Sequence, residues 1–252
     1  MTGLETAPPP DAPRAPGSTV RRALLANVLV VATCALIYEL LCGTLASYLL
    51  GNAVLQFSLV LGTYLFAMGV GAWVSKRFEA RATSRYVQTE LALALVGGLS
   101  VPLLLAGVSV HVPLRPALYA VVFTVGALVG VELPLLVRIL RGPDDEPGPA
   151  GPAGAASVAG RSFGDTVARA LAFDYLGALA ASLLFPLLLV PRLGLVRTSV
   201  VAGAVNAAVA LSTTFVVKVE RPGLLRAAGG LILAALALAF AHGEAWVAAA
   251  TD

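Results

Sequence analysis

Long apolar stretches dominate the chain, and polar residues are confined to shorter segments between them. A helix needs about 20 residues to cross the roughly 30 Å hydrocarbon core of a bilayer. Seven stretches are long enough, near residues 23–47, 55–75, 90–108, 116–140, 170–190, 195–217 and 223–241. The pattern predicts an all-α, polytopic integral membrane protein, with about seven transmembrane helices in a membrane domain spanning residues 23–241.

The segments outside these stretches have the composition of tails and loops. Residues 1–22 are rich in Pro and small residues, which predicts a disordered cytoplasmic tail. Residues 142–160, with the sequence GPDDEPGPAGPAGAASVAG, predict a flexible cytoplasmic loop, and residues 242–252 are assigned to a C-terminal tail. Gly51-Asn52 and Pro116 are typical of a helix end and a first helical turn, respectively.

Composition narrows the function classes. Apolar residues make up 58% of the chain and charged residues 12%, whereas about 25% charge is usual in a soluble domain. This excludes a soluble single-core enzyme, a disulfide scaffold and a disordered chain. A net charge of +3 spread over so apolar a chain offers no basic surface for nucleic acid. The expected location is the cell membrane, as a multi-pass protein whose first partner is the lipid bilayer.

Basic residues predict the orientation of the chain. Of the 17 Lys and Arg residues, all but Arg115, Arg192 and Arg197 fall on the same side of the predicted spans as the N-terminus. Loops rich in Lys and Arg stay in the cytoplasm. The N-terminus is therefore predicted to be cytoplasmic and, with seven spans, the C-terminus to lie outside.

Three acidic residues lie inside apolar stretches, and they are the candidates for chemistry. They are Glu39, Glu132 and Asp174, with Tyr38 and Tyr175 beside two of them. Ionisable groups at membrane depth are costly and usually functional. We therefore interpret these five residues as a hypothetical site for a polyamine or a proton.

Structural roles compete with this hypothesis at each acid. Asp174 would complement the helix dipole if it lay in a first turn. Glu132 would form an ion pair with Arg138, and Glu39 would hydrogen-bond a neighbouring helix, with Tyr38 or Asn27 as its partner.

The residues around Glu132 favour a ligand at that position. Pro134 lacks an N–H and crowds the carbonyl of Gly130, which frees an acceptor near the carboxylate. A primary ammonium has three donors and no acceptor, so a carboxylate with a free carbonyl suits it chemically.

Small residues at four-residue spacing predict close helix packing. The pairs are Ala67 with Gly71, Gly126 with Gly130, and Gly177 with Ala181.

Motifs of soluble enzymes are absent from the sequence. It contains neither a glycine-rich phosphate loop after a strand, nor paired His/Cys metal spacing, nor a Ser/His/Asp arrangement. We expect no catalytic residue, no cofactor and no metal in this chain.

Four segments resemble the membrane region of the integral-membrane spermidine synthases, which are polyamine aminopropyltransferases. The segments are IYELLCGTLASYLLGNAVLQFSLVLGTYLFAMGVGAW (Ile37–Trp73), GVELPLLVRIL (Gly130–Leu140), DYLGALAASLLFPLLLVPRLGLVRT (Asp174–Thr198) and NAAVAL (Asn206–Leu211). The similarity covers most of residues 23–240, and its first segment is the most specific.

The resemblance implies a connection to polyamine biosynthesis. Members of that family transfer an aminopropyl group from decarboxylated S-adenosylmethionine to putrescine, in a catalytic domain that follows the membrane helices. The corresponding glycine loop and catalytic acids would lie beyond Asp252, so this chain alone is expected to be inactive. The implied partners are putrescine, spermidine and a fused or separate aminopropyltransferase domain.

Three hypotheses for the function follow. The chain is a membrane domain that binds or passes polyamines for a synthase, a free-standing transporter or channel for cationic amines, or a membrane anchor and assembly scaffold.

Overall fold

The computed structural model describes residues 18–109, 111–140 and 153–251. Within these ranges the regular structure is helical throughout. The α-helices are α1 (Ser18–Leu50), α2 (Ala53–Val74), α3 (Ala82–Ser109), α4 (Leu114–Leu140), α5 (Ala153–Leu184), α6 (Val190–Val216) and α7 (Pro222–Thr251). A 3₁₀ segment, Ser75–Arg81, joins α2 to α3, and a π-helical segment, Phe185–Leu189, joins α5 to α6.

The helices extend beyond the predicted spans. Helix α1 begins inside the predicted tail 1–22, α5 begins inside the predicted loop 142–160, and α7 runs through most of the predicted tail 242–252. Helix α3 begins eight residues before its predicted span. Hydropathy detects only the apolar part of a helix. Polar turns at either end continue the helix but do not raise its hydropathy. Residues 1–17 of the predicted tail and 141–152 around the predicted loop lie outside the described residues.

Two predicted helix boundaries are confirmed. Helix α1 ends just before Gly51, and Asn52 caps α2 by accepting a hydrogen bond from the Leu55 N–H at 3.2 Å. Both Gly51 and Asn52 have positive φ, which stops the first helix. Pro116 lies in the first turn of α4, where a missing N–H costs nothing.

Six helical runs in the described part of the chain are long and apolar enough to cross a membrane. One of them, Gly164–Val216, contains 53 residues and includes α5 from Gly164 onward, the π-helical segment and α6. Its helical path breaks at Gly194, where φ is 72° and ψ is 178°. A straight helix of that length would be about 80 Å long, more than twice the hydrocarbon thickness.

Small residues bring the helices together, as predicted. A side chain at Gly71 on α2 would overlap the main-chain oxygen of Ala127 on α4, and Gly126 similarly meets the Tyr64 main chain. Gly177 on α5 lies against the Leu29 main chain on α1. Helix α1 contacts α2 through α6 and is the most central helix of the bundle.

The basic connecting segments meet one another through polar contacts. They are Arg81 to Glu220 at 3.3 Å, the Glu220 N–H to the Ser84 hydroxyl at 2.8 Å, Arg138 to the Ser75 carbonyl at 3.4 Å, and Arg21 to the Thr166 hydroxyl at 3.1 Å. The Tyr119 hydroxyl donates to Gln56 at 3.1 Å, which joins the first turns of α2 and α4. Segments predicted to share a side of the membrane are therefore neighbours.

Candidate functional site

Two glutamates from different helices meet inside the bundle. Glu132 on α4 is 9% exposed and Glu90 on α3 is fully buried. Their carboxyl groups are adjacent and interact directly. Two like acids side by side in an apolar interior are unfavourable unless a proton or a cation accompanies them.

Buried polar side chains surround this pair. Tyr38 comes from α1, Tyr86 from α3 and Asn206 from α6, and all three are inaccessible to solvent. We call Tyr38, Tyr86, Glu90, Glu132 and Asn206 the carboxyl cluster. Tyr86 and Glu90 are four residues apart, so they share one face of α3. The Asn206 side-chain amide donates to the Glu90 main-chain oxygen at 3.3 Å, which fixes α6 against α3.

Several atoms of the carboxyl cluster lack a hydrogen-bond partner among the described residues. They are both carboxyl oxygens of Glu90, Oε2 of Glu132, Oδ1 of Asn206 and the hydroxyls of Tyr38 and Tyr86. Four of these six atoms can only accept when the carboxyls are ionised, and the two hydroxyls can also donate. With both carboxyls ionised, the cluster therefore contains more acceptors than donors.

The structure separates the five predicted site residues. Glu132 and Tyr38 belong to the carboxyl cluster. Glu39 instead lines a cavity of about 300 Å³ between α1 and α2, because neighbouring residues of a helix point about 100° apart. Asp174 is half-buried on α5 and interacts electrostatically with Glu132, whereas Tyr175 is 68% exposed on the surface of the bundle.

Arg138 and Asn27, the expected structural partners of Glu132 and Glu39, contact other groups in the structure. Arg138 is six residues from Glu132, about 120° around α4, and its guanidinium donates to the Ser75 main-chain oxygen. The Asn27 amide donates to the Thr213 hydroxyl at 3.0 Å, which links α1 to α6. Gly130 packs against the main chain of Met68 on α2.

Several curated proteins with similar sequences are named polyamine aminopropyltransferase. The chain is 44% identical over 248 residues to "Polyamine aminopropyltransferase 1" of Ralstonia nicotianae, covering 94% of this chain and 44% of that protein. It is 40% identical over 227 residues to "Polyamine aminopropyltransferase" of Leptospira interrogans, covering 89% and 42%. The chain is a relative of the polyamine aminopropyltransferases. The resemblance expected from the sequence is therefore confirmed.

The similarity covers this chain almost completely but its relatives only in part. The chain spans less than half the length of these curated proteins, including "Polyamine aminopropyltransferase 1" of Streptomyces coelicolor, of which it covers 38% at 38% identity. No protein-family model matches the chain, and no solved structure matches it significantly.

Sequence reasoning missed Tyr86, Glu90 and Asn206. The predicted third span begins at residue 90, which made Glu90 an end residue, whereas α3 begins at Ala82 and encloses it. The four-residue spacing of Tyr86 and Glu90 was the available indication, because it places two polar side chains on one helical face. Nothing local in the sequence indicates that this face meets Glu132.

Proposed function

We propose that this chain is the membrane-spanning part of a polyamine aminopropyltransferase-type protein, and that its carboxyl cluster binds a cationic amine. The observation that carries this proposal is the buried Glu90–Glu132 pair with its excess of unsatisfied acceptors. The names of the relatives support an amine as the cation.

The chemistry of the cluster suits an ammonium group. A primary ammonium brings one positive charge and three donors, and it needs no donor in return. Placed at the two glutamates, it would reduce their mutual repulsion and use carboxylate oxygens that have no partner. The aromatic rings of Tyr38 and Tyr86 would line the methylene chain of the amine, because both are fully buried and interact electrostatically with the carboxyls.

Seven crossings of the membrane form part of this proposal. Near its start, α1 donates from Arg21 to Thr166 on α5 and from Asn27 to Thr213 on α6. Thr166, near the start of the 53-residue run, and Thr213, near its end, therefore both lie beside the first turns of α1. The 53-residue run must pass away from that end and return, and Gly194 is the break in its helical path. Two crossings in this run and one in each of the other five make seven.

A binding experiment tests the assignment. The purified chain in phosphatidylcholine nanodiscs is titrated with spermidine and putrescine by calorimetry. Glu90→Gln and Glu132→Gln keep the side-chain shape and remove one charge each. Hydrogen bonds to charged groups are worth about 1.5–3 kcal/mol, so each variant should bind roughly 10- to 100-fold more weakly.

Glu220→Gln is the matched control, because it removes the same charge from an exposed carboxylate at the end of the bundle. It should leave amine affinity unchanged. Equal weakening by Glu220→Gln, or wild-type protein that binds no amine, would overturn the proposal. Spermidine uptake into proteoliposomes that Glu132→Gln abolishes would favour the transporter over a binding domain.

A further inference from the structure

An apolar groove lies between α2, α3 and α4. Its cavity has a volume of about 440 Å³. Its lining residues are Val70, Gly71, Val74, Phe78, Arg85, Gln88, Thr89, Ala92, Phe123, Thr124, Ala127, Leu128 and Val131. Nine of these thirteen carry no polar side-chain atom. Three of the polar lining residues lie near the start of α3, just after the 3₁₀ segment. They are Arg85, Gln88 and Thr89.

A smaller, basic cavity adjoins the groove. It has a volume of about 150 Å³ and is lined by Arg77, Phe78, Arg81 and Arg85. Phe78 and Arg85 line both cavities, so the apolar groove and the basic cavity lie side by side. The combined surface is apolar along its length and cationic at one end.

The positive charge at this end is only partly neutralised. Arg81 pairs with Glu220 at 3.3 Å. The Arg77 guanidinium lies over the Trp73 ring at 5.2 Å, and Arg85 lies over Phe78 at 5.1 Å and donates to Gln88 at 3.1 Å. Aromatic rings and amides orient a guanidinium without cancelling its charge. In the described part of the chain, Arg77 and Arg85 thus keep a full charge available to an anion.

The groove matches one leaflet of a bilayer in length. The distance along α4 from Val131 to Phe123 is about 12 Å, and half of a hydrocarbon core is about 15 Å. The basic cavity belongs to the segments predicted to face the cytoplasm, at the level of lipid headgroups.

We propose that this surface binds one anionic phospholipid, with an acyl chain in the apolar groove and its phosphate at Arg77 and Arg85. The inference rests on the proposed membrane location, but not on amine binding. Charge complementarity selects the occupant: the cationic end excludes an amine, and the apolar length excludes a small hydrophilic anion from most of the surface. Arginine recognises phosphate through its planar, multi-donor group.

Tryptophan quenching in nanodiscs tests the assignment on the full chain. Trp246→Phe leaves Trp73, which is 59% exposed and beside the basic cavity, as the only tryptophan. Phosphatidylglycerol with brominated acyl chains, added as a minor fraction to phosphatidylcholine, should quench Trp73 more than the same fraction of brominated phosphatidylcholine. A basic residue near an anionic lipid is worth about fivefold in affinity, so Arg77→Gln with Arg85→Gln should remove most of this preference.

Arg115→Gln with Arg192→Gln is the control, because it removes the same charge from residues predicted to lie on the other side of the membrane. That variant should keep the preference, and excess inorganic phosphate should not abolish it. Equal quenching by the two lipids, equal loss in the control variant, or displacement by phosphate alone would overturn the inference. A chain that discriminates lipids but binds no amine would overturn only the proposed function, and the converse result would overturn only this inference.

Discussion

A buried carboxyl pair is the unusual feature at the scale of single residues. Glu90 and Glu132 lie side by side in the interior of the helical bundle, and the sequence does not show that they form a pair. Structural acids are normally hydrogen-bonded to saturation, because an unsatisfied buried acceptor costs free energy. Here the unsatisfied oxygens are concentrated in one place. This concentration of unsatisfied oxygens is the basis for the proposed ligand site.

Replacing one of the paired carboxyls should stabilise the unliganded protein. Glu90→Gln removes the cost of burying a second acid beside Glu132 at constant shape, and a gain of about 1 kcal/mol would raise Tm by about 2–4 °C for a chain of this size. Spermidine should raise the Tm of the wild type more than that of Glu90→Gln, because a ligand stabilises only the state that binds it. Thermal unfolding in detergent measures both effects.

Glu220→Gln, which breaks an exposed ion pair with Arg81, should change Tm little. A lower Tm for Glu90→Gln would contradict the ligand interpretation, since the carboxyl would then be a structural acceptor.

At the scale of helices, glycines decide how closely α2 and α4 approach. Gly71 and Gly126 leave no room for a side chain, since the opposing main chain occupies that space. Gly69, which is on α2 with Gly71, has open space where a side chain would be. Position around the helix therefore determines which glycines matter for packing.

A pair of alanine substitutions on α2 tests this distinction. Gly71→Ala should destabilise the protein by about 2 kcal/mol or more, because the added Cβ overlaps a main-chain carbonyl that cannot rotate away. Gly69→Ala should be neutral or slightly stabilising, since Ala has the higher helix propensity. Unfolding midpoints of the two variants provide the comparison. Equal effects would show that α2 and α4 do not pack through Gly71.

At the scale of the whole molecule, the path of the Gly164–Val216 run determines on which side of the membrane α7 begins. Contacts of α1 with Thr166 and Thr213 require the run to turn back, and Gly194 has the backbone conformation for the turn. A φ of 72° with ψ near 180° is strained for any residue except glycine.

Cysteine labelling tests this path. Cys34 and Cys42 are buried and give little background. Cysteine substituted for exposed Arg192 should react with a membrane-impermeant maleimide in intact cells. Cysteine substituted for exposed Lys218 should react only after permeabilisation. Arg192 and Lys218 lie near opposite ends of α6, and the proposed topology places them on opposite sides of the membrane. Reaction of both from the outside would rule out the proposed return crossing.

Much of the helical fold was predictable because the relevant information is local. Lengths of apolar sequence predict the helices, Gly51-Asn52 and Pro116 mark helix ends, and small residues at four-residue spacing predict close packing. The first residues of the helices were predicted least accurately, since α3 begins eight residues before its predicted span. Polar first turns add no hydropathy but still form helix.

The candidate site depended much less on local sequence. The cost of an acid at membrane depth marks Glu132 from its own surroundings, and that expectation needs no knowledge of the neighbouring helices. Tyr38 enters the same cluster, but Glu39 does not, because the rotation of about 100° per residue directs it elsewhere. Tyr175 is exposed on α5. Which helices lie beside α4 is a property of the packed bundle. Only the tertiary structure therefore brought Glu90 and Asn206 to Glu132, since residues distant in the chain become neighbours through helix packing alone.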